Sequence, residues 1–495
     1  MKKIATLFLF VLSSVVVLSA CATKLEKEIK KESKNLTNYT IELEYNSDYT
    51  LEANQTIDYI NTSDINFDKV YMHLYPNNFS EGATHKPVSS LNKSKAYPNG
   101  FSEGHISISS LMVGGVEQEV VLSGTDFDIL EVSVGTLAPD DRIDISIEYE
   151  VIIPNCLHRF GYGDNTINVA NFYPIMAVYD GEWNLDPYDS NGDPFYSDMA
   201  NYNINLTAPT DLVLASTGKV ENKTSQGDNT TYSIKARAVR DFAFVLSDKF
   251  SVVSEKYENV EISYYYYDDE NYAQNLQAAV DSIKTFNNLF GKYPYNTYSV
   301  VKANFIHGGM EFPNMVIISD DVCDINDYVN VIVHETAHQW WYGLVGNNEY
   351  DCGWLDEGLT DYSTALFYKY NPSYGIDFED IIKNTTNSYV NFVEVYTKVM
   401  GGVDTTMTRN LGEYDTEPEY VYMAYVKGAL LFDSLKENVG EEKFLVAMKK
   451  YFKDYKYKNA QPADLIGTFE KTLGCEMRGF FDSWLNGKVV IKRVG

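Results

Sequence analysis

From Tyr39 to about Phe250 the chain alternates apolar and polar residues in short runs. In residues 39–45 (YTIELEY), Tyr39, Ile41, Leu43 and Tyr45 fall on one face while Thr40, Glu42 and Glu44 fall on the other, the pattern of a half-buried strand. The runs KVYMHLYP and NYNINLTA repeat it, and the Asn, Asp, Ser and Gly clusters between them mark turns. Residues 39–252 are therefore expected to form a β-rich domain, whose strands carry no group of His, Cys or acids at ligand spacing. After one more strand-like run, VEISYYYY, the period lengthens. Phe444, Ala447, Met448, Tyr451, Phe452 and Tyr455 recur every three or four positions, giving one apolar helical face whose ordinary use is core packing. The chain is expected to be α+β and multidomain, with a further unit over 253–375 and a helical one over 376–495.

Composition agrees with that division. A chain of 495 residues, 44% hydrophobic and with 14 prolines against 31 glycines, can bury more than one core and has no signature of disorder. Its first residues change the picture further. Lys2 and Lys3 precede an apolar run over 4–17 and the string Leu18-Ser19-Ala20-Cys21, which resembles a bacterial lipobox. Residues 1–20 then read as a lipoprotein signal, with Cys21 acylated and the mature chain held at the outer face of a bacterial membrane without spanning it. The alternatives are an ordinary secretory leader and a retained anchor helix; Ser13 and Ser14 and the shortness of the run count against the second. Residues 21–38, charged and nearly free of large apolar groups, read as a solvated tether.

A formal net charge of −30 argues against nucleic acid as a partner, because phosphate binding needs basic patches. Cys156, Cys323, Cys352 and Cys475 are widely spaced and fit no zinc-finger or redox pattern, which leaves their pairing open.

The chemistry concentrates in residues 331–367, VIVHETAHQWWYGLVGNNEYDCGWLDEGLTDYSTALF. On a helix His334 and His338 project from one side, about 6 Å apart along the axis, so both imidazoles can reach one ion. Glu335 lies beside them, able to touch a water on that ion without ligating it. Eighteen residues separate His338 from Glu357, which is expected within a second helical run beginning near Trp354. Two neutral nitrogens and one carboxylate leave a tetrahedral position open, as in a catalytic rather than a structural zinc site, so one Zn2+ is the expected cofactor. The other five histidines, His307 among them, are expected to be ordinary core or surface residues.

HGGMEFPN stands upstream of HETAH and YVKGALLF downstream. With the glutamate eighteen residues on, this order and spacing resembles the aminopeptidase N family of gluzincin zinc metallopeptidases; MHLYPNNF and RDFAFVLSDKF add softer likenesses. The resemblance implies a β-saddle amino-terminal domain, then a thermolysin-like zinc catalytic domain ending in a helical subdomain. It assigns the metal to His334, His338 and Glu357, the general base to Glu335 and the oxyanion donor to Tyr425. It assigns the substrate ammonium to Glu311, within a binding segment formed with Gly308, Gly309 and Met310. Two departures stand out. Phe312 replaces the usual asparagine after the anchoring glutamate, and Thr364 stands where the family often has an acid seven residues beyond the zinc glutamate. Ligating histidines need a partner to fix their tautomer, and Asp361, on nearly the same helical face as Thr364, is the expected substitute.

What the resemblance implies is hydrolysis of the first peptide bond of peptides with a free amino terminus. A thermolysin-like endopeptidase shares the metal geometry but needs no amine anchor, and a silent peptide-binding lipoprotein needs no general base. Residues 315–319 (MVIIS) are β-prone, either as a partner for the peptide backbone or as a plain core strand.

Overall fold

The computed structural model describes residues 24–494, so the signal sequence and Cys21 lie outside the described residues. The alternation of residues 39–45 is realised in the strand Thr37–Asn46, where Tyr39, Ile41, Leu43 and Tyr45 are buried and Thr40, Glu42 and Glu44 exposed. This strand lies inside an eight-stranded sheet, parallel to Ala200–Pro209 on one side and antiparallel to Thr50–Ile60 on the other. Tyr39 stands opposite Tyr202, and the two rings stack with centroids 4.8 Å apart, a cross-strand pair that helps fix the register. Two four-stranded sheets complete the β-rich half.

A five-stranded sheet follows, in the order Ser251–Tyr257, Val260–Tyr266, Thr297–Ala303, Met315–Ser319, Gly309–Met310. Its second, third and fourth members are parallel, and the crossover from Val260–Tyr266 to Thr297–Ala303 is the helix Tyr272–Leu289. Met315–Ser319 is buried throughout, the continuous apolar pattern of a strand covered on both faces. It is paired on both sides, so it offers no edge to a peptide; the edge is the short strand Gly309–Met310. Beyond the sheet the chain is helical. On Glu441–Tyr455 the residues Phe444, Ala447, Met448, Tyr451 and Phe452 are buried as the periodicity requires, with Tyr455 half-buried at the end.

Two tertiary features bind these parts together. The expected solvated tether is structured from Lys24 on: residues 24–32 form a helix and the first strand begins at Thr37. Leu25 is buried and Ile29, one turn later, packs against the core, an apolar stripe that the surrounding charges conceal in the sequence. Glu28 pairs with Lys456 and accepts from the Tyr457 hydroxyl, while the Ser33 carbonyl accepts from Asn201 Nδ2, so this strap touches both the β-rich half and the helical region. The second feature is Arg240, buried at 2% exposure. Its Nε donates to the Tyr342 carbonyl at 2.6 Å, one terminal nitrogen to the Ser197 carbonyl at 2.8 Å and to Asn459, and the other to the Lys458 carbonyl at 2.5 Å. Among the described residues the four cysteines are free and no helix is long and apolar enough to cross a membrane.

Candidate metal centre and substrate cleft

The helix Ile325–Ala337 begins at Asp324, whose carboxylate accepts from the amides of Asn326 and Asp327, and it buries Tyr328, Val329, Ile332, Val333, Thr336 and Ala337. Thr336 pins it further, its hydroxyl meeting Tyr298 at 2.7 Å. His334 and Glu335 are left on the face toward the cleft, with His338 at the carboxy-terminal cap. Glu357 does not sit within a helix that starts near Trp354; it is the first residue of the helix Glu357–Tyr370, which follows the separate turn of helix Glu349–Cys352. This second helix packs on Lys427–Val439 through two glycines, since a Cβ on Gly358 would lie 2.8 Å from the Gly428 Cα. Their close approach brings Tyr425 to Glu357. Tyr425 projects from a five-residue π-helical stretch, Tyr422–Val426, a local widening of the kind found at functional sites.

His334 Nε2 and His338 Nε2 are 3.1 Å apart, and Glu357 Oε2 is 3.4 Å from the first and 3.1 Å from the second. Four donors at about 2.1 Å around a tetrahedral zinc stand about 3.4 Å from one another, so the triangle has the size of a three-donor face. The outward nitrogens fix the tautomers. His334 Nδ1 meets Asp361 at 2.9 Å, and His338 Nδ1 lies 2.9 Å from the Trp341 carbonyl and 3.2 Å from Thr360 Oγ1. Both Nδ1 atoms thus face oxygen acceptors, which turns both Nε2 lone pairs toward the same point. Asp361 is the partner expected in place of an acid at 364, while the Thr364 hydroxyl donates to the Thr360 carbonyl within its own helix. The donor set suits zinc in number, type and spacing.

Electrostatics follow from this packing. Burial raises Glu357, but His338 and His334 outweigh it and hold the carboxyl down to about 2. Burial lowers His334, yet the bonds to Asp361 and Glu357 lift it to about 10. Burial pushes Glu335 up to about 7, against the pull of His334 and His338. Glu311 is raised well above the usual carboxylate range, by burial first and then, against His338, by Asp193, Glu335 and Glu357. Glu335 Oε2 and Glu311 Oε1 are buried and without a protein hydrogen-bond partner, and both residues line the cleft. Tyr425 donates to Glu357 Oε1, its ring parallel to that of His334 with centroids 6.0 Å apart, and burial keeps its hydroxyl protonated.

The cleft has a volume of about 410 Å3 and is lined by Gly308, Gly309, Glu311, His334, Glu335, His338, Glu357 and Tyr425, among others. Gly309 makes room for the base, since a Cβ there would fall 2.3 Å from Glu335 Oε1. The Met310 side chain is fully buried in the core, and the residue does not line the cleft. Phe312 is likewise buried, and the amide it lacks is supplied from elsewhere: Gln339 Nε2 donates to the Phe312 carbonyl at 3.2 Å, and Gln339 Oε1 accepts from the Asn314 amide at 2.9 Å. His307, expected to be an ordinary residue, lines the cleft with His158, their rings 5.4 Å apart.

The β-rich half also supplies the cleft with charge, which its strand pattern did not announce. Asp193 places a carboxylate oxygen within 4.8 Å of those of Glu311 and Glu357. Arg159 binds Asp193 and lies over the Phe195 ring at 5.0 Å. Both belong to the cleft wall. The signal available in the sequence was the stretch 177–199, free of regular strands or helices between Ile175–Met176 and Ala200–Pro209, a length that in a compact fold marks a functional loop.

Fold and donor set together define a helix-borne metal centre of two histidines and one glutamate beside a mixed sheet. Residues 274–484 match the peptidase family M1 domain. Over 186 residues it is 29% identical to leucine aminopeptidase 2-1 of Meyerozyma guilliermondii, a match covering 36% of this chain and 29% of that one. Over 205 residues it is 26% identical to aminopeptidase N of Streptomyces lividans, covering 39% and 23%. The chain thus spans about a third or less of the length of the curated relatives it matches. The structure of an M1 zinc metallopeptidase from Deinococcus radiodurans superposes with a TM-score of 0.61 at 16% identity, covering 92% of this chain and 94% of the other, which establishes a shared two-part fold.

Proposed function

We propose that the protein is a zinc-dependent aminopeptidase, anchored to the outer face of a bacterial membrane through an acylated Cys21, that removes the first residue from peptides with a free amino terminus. The observation that carries the reading is the grouping of Asp193 and Glu311 beside Glu357, with one Glu311 oxygen buried and unpaired in the cleft. Carboxylates this close cannot all stay ionised without positive charge beside them; Arg159 pairs with Asp193, and Glu311, raised well above the usual carboxylate range, has no such partner among the described residues. An α-ammonium offers three donors and one positive charge at that place.

His334, His338 and Glu357 would hold the zinc, which when bound would supply the Lewis acidity to polarise a carbonyl and acidify water. Glu311 and Asp193 hold the ammonium and so set the register, leaving the first peptide bond opposite the metal. Glu335 accepts, at its free Oε2, the proton of the water that attacks the carbonyl carbon, and returns it to the amine as the C–N bond breaks, a role suited to a carboxyl poised near 7. The Tyr425 hydroxyl donates to the oxygen of the reacting carbonyl as charge develops there. Asp361 and the Trp341 carbonyl keep both imidazoles turned toward the metal.

The test is a panel of aminoacyl chromogenic amides, each offered free and N-acetylated, with chelator and then zinc added back. The reading requires cleavage of the free amides alone, lost with chelator and restored by zinc. Equal cleavage of the acetylated series would identify an endopeptidase, and binding without turnover would identify a silent receptor.

A further inference from the structure

The strap and the polarity of the catalytic sheet together give the molecule an orientation. Residues 24–32 and the groove beside them are bounded by Asn259, Pro294 to Thr297 and Asn314. Each of these precedes or opens one of the three parallel strands, Val260–Tyr266, Thr297–Ala303 and Met315–Ser319. The cleft residues Ile306 to Gly309 follow the carboxy-terminal end of Thr297–Ala303, and the Ser319 amide, at the far end of its strand, donates to the Gly308 carbonyl. Strap and cleft mouth therefore occupy opposite ends of the same strands, separated by about 20 Å of extended chain.

The strap face also differs in charge from the rest of this acidic chain. Lys24, Lys27, Lys30, Lys31 and Lys34 face three glutamates in the same segment, and exposed Lys219, Lys235 and Arg237 border the groove with Glu221. An anionic leaflet repels a body of net charge −30 least where cations collect. The cleft carries Asp193, Glu311 and Glu417 instead.

We propose that lipid on Cys21 seats the strap face, residues 24–35 with Lys219, Lys235 and Arg237, against the phospholipid surface, and so turns the cleft mouth away from the bilayer. This rests on the lipoprotein reading above. The three residue steps from Cys21 to Lys24 reach at most about 10 Å, too short for the body to roll over once the strap is docked. The substrates are then peptides free in the surrounding medium, not amino termini emerging from the bilayer.

The full acylated chain, with exposed Cys323 and Cys475 changed to serine, is labelled with one fluorophore at Lys235→Cys or at Leu91→Cys beside the cleft, and reconstituted in anionic vesicles bearing a headgroup quencher. Quenching several-fold stronger at position 235 than at 91 is expected, and equal or reversed quenching overturns the orientation. Detergent partition of the wild type against Cys21→Ser separates the underlying reading: a wild type that stays in the aqueous phase overturns anchoring and orientation together. A ten-residue Gly-Ser insertion between Thr23 and Lys24, which leaves the strap intact, should bring quenching at the two positions close together. If the contrast persists undiminished, the short reach does not set the orientation, and the proposal fails.

Discussion

Replacing Asp361 by alanine tests how the metal centre is held. The carboxylate meets His334 Nδ1 at 2.9 Å, and its side chain is 32% exposed, so the interaction is partly screened by water. A hydrogen bond to a charged group contributes about 1.5–3 kcal/mol, and partial exposure places this one near 1.5–2, or about 10- to 30-fold in metal affinity. Competition with a chromogenic chelator should show the zinc dissociation constant of Asp361→Ala rising by that factor. Asp361→Asn, which keeps an acceptor oxygen, should lose less. Thr364→Ala serves as the control, because that hydroxyl is spent on the Thr360 carbonyl, and its affinity should stay within about twofold. Asp361→Ala binding zinc as tightly as the wild type, or Thr364→Ala matching its loss, would refute the assignment of Asp361 as the partner of His334.

Glu311→Gln should lower kcat/KM on free-amine substrates by about 100-fold, the loss of a charged hydrogen bond at a buried site, and leave the faint activity on N-acetylated substrates unchanged. Tyr425→Phe should reduce kcat by about 100-fold with KM within a few-fold, because the hydroxyl acts on charge that develops only in the transition state. Gly428→Ala would place a Cβ 2.7 Å from the Gly358 Cα, and overpacking of this kind costs about 1–3 kcal/mol, read as a lower urea midpoint. Asp241 is buried and raised from 3.8 to about 6, with the Tyr342 hydroxyl opposing the shift. A folded value above the unfolded one means that its contribution to stability is fully present below 3.8 and lost as pH rises through about 6. Asp241→Asn should flatten the stability profile across that window, as measured by denaturant unfolding at each pH.

The metal donors were legible because a helix converts a separation of four residues into spatial adjacency, and HETAH needs only that rule. Asp361 was legible for the same reason, being one turn beyond Glu357. The cleft's other wall was not. Arg159, just ahead of the strand Phe160–Tyr162, and Asp193, in the loop 177–199, reach the site from a domain read by its strand period, and nothing local to either residue states what faces it. Phe312 shows the limit from the other side: the sequence marks a departure there, but not that Gln339, in the turn after the second histidine, binds the backbone at Phe312 and Asn314. The strap was hidden by composition, since two apolar residues among eight charged ones suffice to dock a short helix when the receiving surface already exists.

Arg240 has a consequence for how the cleft is held together. One guanidinium, shut away from water, is shared by the loop at Ser197, the turn after the histidine helix and the segment Lys458–Asn459. Swinging the two halves of the molecule apart would strip that charge of Tyr342, Asn459 and Lys458 and leave it the Ser197 carbonyl, at a cost of several kcal/mol. Arg240 therefore ties the β-rich half, the turn after the histidine helix and the segment Lys458–Asn459 into one body around the cleft.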